Sequence, residues 1–222
     1  MRGSLPSQPA GHTLELSQKE EKALYRKVFR LSMITFLYKL TEGIVSVYIA
    51  GDTNHLVLFG FGIHSGIGIL TALGIGYMAL CQEKGLHQQA NYFLYCMLRT
   101  AGIGFYFVSA RLLTSIIWYN SSNQKPETTI PGIYISIVSA AIVFFLYRYK
   151  ASLGYRLSSQ FLLNDAYATR GSIQMSGVLL FSSILYAFYT HDFIDVIGRA
   201  GLTFFTIMEG NNYMRQSREL VQ

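Results

Sequence analysis

The side chains able to do chemistry in this sequence are few, and most lie inside apolar runs. Lys39 and Glu42 stand three apart within Leu31–Gly51. That spacing puts them on one helix face, where they can form an internal ion pair. His64 lies in Leu56–Gln82, a run without Asp, Glu, Lys or Arg. A neutral imidazole there can hydrogen-bond a neighbour, ligate a metal or pass a proton. Gly60, Gly62, Gly66, Gly68, Gly74 and Gly76 flank it. Gly62 and Gly66 form a small-xxx-small pair that admits a second helix closely, so Gly66→Leu is expected to disrupt packing. Gly60, His64 and Gly68 are expected on one face. Asn164, Asp165, Thr169, Arg170 and Ser172 open a run whose second half, Val178 to Tyr189, is mostly apolar. This pattern fits a water-filled cavity, or an interfacial helix end marked by Asp165 and Arg170. Asp195 and Arg199 can pair at i,i+4. Arg99 can snorkel to an interface, and Arg111 is expected to pair with an acid on a neighbouring helix.

These groups need a scaffold, and composition says which. Of 222 residues, 51% are hydrophobic and only 14% charged, against roughly 25% charged in a soluble domain. Mean hydropathy is +0.30. Disorder and a soluble enzyme are excluded, and no Gly-rich phosphate loop, HExxH or nucleophile triad supports catalysis. A net charge of +6 without a polar scaffold does not indicate a nucleic-acid partner. Cys81 and Cys96 cannot build a disulfide framework or a thiolate cluster. The expected fold is all-α: a polytopic membrane protein with six spans, at 31–51, 56–82, 92–119, 128–147, 171–190 and 191–208. A bilayer core about 30 Å thick needs about 20 residues per helix, and the helical rather than alternating period argues against a β-barrel.

The chain therefore divides into a cytoplasmic N-terminal segment, 1–30, a transmembrane domain, 31–208, and a short cytoplasmic tail, 209–222. The first 30 residues lack the apolar core of a signal peptide. Leu14–Arg30 reads as a charged amphipathic helix, and the Met1–Ser4 leader, also a common cloning scar, is taken as native. Twelve basic residues fall before span one, after spans two and four, and in the tail, against Lys125 alone in the opposite loops. By the positive-inside rule both termini are expected in the cytoplasm.

Three segments carry a family resemblance. Leu58-Phe-Gly-Phe-Gly-Ile-His-Ser-Gly-Ile-Gly-Ile69, Phe161-Leu-Leu-Asn-Asp-Ala166 and Tyr38-Lys-Leu-Thr-Glu-Gly43 resemble the membrane domain of cation diffusion facilitators. The nearest likeness is to small members without the cytosolic C-terminal domain, and it covers roughly residues 26–215. The resemblance implies a core of spans one, two, four and five with three and six beside it. It also implies a mid-membrane site for a divalent ion, usually zinc, held by i,i+4 pairs on spans two and five, with proton counterflow. Zinc is then cargo, and no resident cofactor is expected. Carried over by motif, the ligand positions fall on His64 and Gly68 and on Ala168 and Ser172, so the resemblance implies that His64 turns inward toward Ser172. Only His64 is a strong ligand; Ser172 is a weak one, and two positions have no donor. Asp165 sits about 10 Å along the helix from Ser172, and Glu42 can contribute if span one packs on His64. The expected metal residues are thus His64, Asp165 and Glu42, with Ser172 weak. The expected partners are the lipid bilayer and a divalent cation, with a homodimer or heteromer as the open assemblies. Three readings follow: a cation transporter with an altered site, a non-transporting scaffold or regulatory partner, and an unrelated six-span protein.

Overall fold

The computed structural model describes residues 18–53, 56–118, 130–189 and 192–220. They form six α-helices: α1 Gln18–Thr53, α2 Leu56–Glu83, α3 His87–Ile117, α4 Ile130–Arg156, α5 Gln160–Tyr189 and α6 Asp192–Glu219. No strand occurs among the described residues. The helices pack as two rows of three. Helices α1, α2 and α3 lie side by side, as do α4, α5 and α6. The rows meet as α1 on α4, α2 on α5 and α3 on α6, with α2 also touching α6. Helices α2 and α5 are the middle members. The expected core of α1, α2, α4 and α5 is present, but α6 reaches both middle helices and completes the interior rather than sitting beside it.

Helices α1 to α4 are each long and apolar enough to cross a membrane. Helices α5 and α6, at 30 and 28 residues, have the length but carry more polar residues, which they bury between helices. The bundle wears its apolar side chains outside. Ile34, Leu37, Ile44, Tyr48, Phe107, Phe145, Phe188 and Phe204 are exposed. Its inward stripe on α1 is polar: Ser32, Thr35, Lys39, Glu42 and Ser46 are all buried. Their 3,4,3,4 spacing is the seam one helix presents to its neighbours. Water would reject this arrangement; lipid accepts it, because the apolar face costs nothing there and the polar groups find partners inside.

Both same-side turns close with left-handed caps. After α2, Gly85 has φ 76°, and the N–H of Leu86 donates to the Cys81 carbonyl at 2.9 Å. After α4, Ser158 takes that role with φ 48°, and Ser159 N–H donates to Gly154 O at 3.1 Å. Such caps satisfy helix-end carbonyls and reverse the chain within a few residues.

Several sequence expectations shift. The close approach of α1 and α2 centres on Gly62, where an added Cβ would lie 2.8 Å from Val47 Cγ2 and 3.0 Å from the Val47 backbone N. Gly66 lends its backbone to that contact, but an added Cβ there meets nothing within 4 Å, so Gly66→Leu has room. Gly60 packs on Leu112 and Leu202, whereas Gly68 faces Lys39. Each i,i+4 step drifts about 40° round the helix, so the two glycines flanking His64 look toward different neighbours. Residues 18–30 are the start of α1, with Leu24 and Val28 buried. Residues 209–219 continue α6, with Glu209, Tyr213, Gln216 and Ser217 buried. Arg111 is exposed, and Arg99 is exposed and hydrogen-bonded to Tyr95. The Asp195 side chain and the 120–127 loop lie outside the described residues. Arg199, 2% exposed, donates to the Ser115 carbonyl on α3 at 2.8 Å.

Candidate cation site at the centre of the bundle

Two apolar clusters fill the interior. One gathers Leu31, Ile75, Leu94, Leu98, Phe105 and Leu146; the other gathers Val57, Phe61, Leu112, Met175, Leu179 and Leu202. Between them lies a layer of polar side chains from α1, α2, α4 and α5. Lys39 Nζ is 2.7 Å from Glu42 Oε2, and both side chains are buried, at 7% and 2% exposure. Glu42 also accepts hydrogen bonds from Tyr38 on α1, Ser65 on α2 and Ser139 on α4. One carboxylate thus receives four donors from three helices, which satisfies its oxygens without water. Ser139 Oγ lies 2.9 Å from Ser176 Oγ on α5, which in turn donates to the Ser172 carbonyl at 3.0 Å. The chain of contacts runs from α1 to α5 through the middle of the bundle. A cavity of about 320 Å³ between α1 and α4, lined by Tyr38, Thr41, Glu42, Tyr134 and Ser139 among others, reaches this layer.

His64 is 3% exposed. Its Nε2 is 3.4 Å from Ser172 Oγ, so the imidazole faces α5 at the residue expected from the sequence. Its ring also leans on Phe105 of α3, with centroids 5.1 Å apart. Its Nδ1 has no hydrogen-bond partner. Gly68 faces the Lys39 stem: an added Cβ would lie 3.5 Å from Lys39 Cδ and 3.8 Å from Cε. The lysine stem thus packs over Gly68 at ordinary contact distance on its way to Glu42.

The other expected ligand stands elsewhere. Asp165 Oδ2 is 2.9 Å from Lys150 Nζ. Lys150 also donates to Thr169 Oγ1 at 3.1 Å, tying α4 to α5. Lys150 lies beyond the apolar run 128–147, where a loop charge is expected, yet it is buried inside α4. Glu42 and Asp165 therefore each face a lysine, and the structure joins His64 to Ser172 but not to Asp165. Among the described residues, no group of three His, Cys, Asp or Glu side chains is placed to hold a metal ion. Sequence reasoning missed Ser65, Ser139 and Ser176, which connect the layer, as well as Lys150 and Glu209. The polar 3,4 repeat on α1 was the available signal for the layer. Serines on the other helices gave none, because a serine in a membrane helix can equally bond its own backbone.

The model of the cation efflux transmembrane domain matches residues 93–220, more than half of the chain. The chain belongs to the cation efflux family. The match begins in α3 and runs to the end of α6, so it includes the α5 side of the central layer. No curated protein and no solved structure matches the chain. Family and fold together make this an integral membrane protein of a cation efflux transporter family, with an all-α polytopic domain, rather than a member of an enzyme family.

Proposed function

We propose that this cation efflux protein keeps the transporter bundle while its divalent-ion site is eroded, the central cation position being filled by its own Lys39. The observation that carries this reading is the lysine stem crossing Gly68 to a 2.7 Å pairing with Glu42. An ammonium there supplies the positive charge that a bound dication would supply in a site of this type. It also repels a second cation: two like charges a few ångströms apart in a low-dielectric interior are strongly disfavoured. The donor set points the same way. Zinc takes about four N, S or O ligands. His64 offers one imidazole, Ser172 a neutral hydroxyl, and Gly68 and Ala168 no donor. The cargo in this reading is a zinc-type divalent cation held loosely at His64, with both termini in the cytoplasm and assembly as a homodimer or heteromer. A second reading is a scaffold or regulatory partner that moves no ion. It draws support from Asp165, whose pairing with Lys150, beside that of Glu42 with Lys39, leaves neither of the two expected acidic ligands free for a metal.

Flux into zinc-loaded and empty proteoliposomes separates the two. Slow zinc movement, lost in His64→Ala, is the expected result. Fast flux unchanged by His64→Ala would reject the eroded-site reading. No flux of any divalent ion from well-folded protein would select the scaffold.

A further inference from the structure

Glu209 lies on α6, beyond the stretch that the sequence marks as apolar. It is 4% exposed, and its Oε1 has no hydrogen-bond partner. Its carboxyl lies against the backbone of Gly171 on α5. A Cβ added there would fall 1.8 Å from Oε1 and 2.9 Å from Cδ. The cation whose field reaches it is Lys39, and Glu42 already holds that ammonium at 2.7 Å. The other ionisable groups on the packed elements are engaged too. Asp165 on α5 is paired with Lys150, and His64 on α2 faces Ser172. Helix α3 offers Phe105 and Gly102, which cannot titrate. One turn along α6, Tyr213 stacks on Phe105 with centroids 5.4 Å apart. An ionised carboxylate with a bare oxygen in such surroundings costs several kcal/mol. A proton on Glu209 removes that cost.

We propose that Glu209 is a buried proton-carrying group, held as the neutral acid in this conformation and able to exchange its proton only when α5 and α6 part at Gly171. The atoms balance simply: separation admits water, the carboxylic acid gives a proton to it, and re-closure requires the proton back. A groove of about 410 Å³ already runs along the outside of the α5–α6 contact, lined by Gln174, Gly177, Gly201 and Phe205 among others. Gln174 and Phe205 stand within about a turn of Gly171 and Glu209, so the α5–α6 seam is already loosely packed close to the acid. Proton uptake is thereby tied to bundle opening through a residue outside the His64 layer. The inference is independent of whether any divalent ion is carried.

Infrared spectroscopy of the whole protein in lipid nanodiscs tests it. At neutral pH the wild type should show the carbonyl stretch of one protonated carboxylic acid per chain, after exposed acids have ionised. The band should move when glutamate is ¹³C-labelled, exchange slowly in heavy water, and vanish in Glu209→Gln. The proposal is overturned by a wild type without such a band, by a band unmoved by labelled glutamate, or by one that survives Glu209→Gln. Should the variant not fold, the labelled wild type decides: a slowly exchanging glutamic-acid band supports the assignment, and its absence rejects it.

Discussion

Lys39→Ala is expected to destabilise the bundle by about 3–5 kcal/mol, because it strands Glu42 as an unpaired buried charge. Three hydroxyls would remain on the carboxylate, but neutral donors do not replace an ammonium at 2.7 Å. The double change Lys39→Met with Glu42→Gln should recover most of the loss. It keeps the lysine stem's volume over Gly68 and removes both charges, so no unpaired buried charge is left behind. Unfolding of the detergent-solubilised protein by heat, with the single and double variants compared, reads this directly. A single variant as stable as the wild type would mean that Glu42 finds another cation or takes up a proton, and that Lys39 is not its obligatory partner.

The second large effect distinguishes two glycines four residues apart. Gly62→Leu should separate α1 from α2, since even a Cβ there would press on Val47 and Ser46. Backbone cannot yield as a flexible side chain can, so a cost at the upper end of the usual overpacking range, about 3 kcal/mol, is expected. Gly66→Leu should be tolerated, because its Cβ direction is open. Folded yield and thermal stability in the same detergent compare the two. Equal damage at both sites would contradict the register of the α1–α2 contact.

Much of this architecture could be read from the residues, and the limits have physical causes. Charge-free runs marked α2 and α4 outright, because twenty apolar residues in a row have few destinations other than a bilayer. The charge-free run 171–190 marks only the later part of α5, while the polar opening from Phe161, with Asn164, Asp165 and Arg170, belongs to the same helix, which begins at Gln160. Polar side chains end a hydropathy signal without ending a helix. The Lys39–Glu42 pairing followed from spacing alone, and the inward turn of His64 toward Ser172 followed from the family register. What spacing could not reveal is where charges on different helices meet. Lys150 finds Asp165 only once α4 lies on α5, and Glu209 is buried only because α6 continues past the apolar run. The contact made by Gly66 was misassigned for a related reason: a small-xxx-small pair identifies the approach of two helices but not which of its glycines points at the neighbour.

The account turns on Lys39 filling the cation position beside His64. Calorimetric titration of zinc into the folded protein in nanodiscs, wild type beside His64→Ala, addresses that most directly. The predicted result is weak binding without a tight saturable site in the wild type, and weaker binding still in His64→Ala. A tight site of one zinc per chain that disappears with His64→Ala would contradict it, because it would require a full set of metal ligands at a place where the structure puts an ammonium.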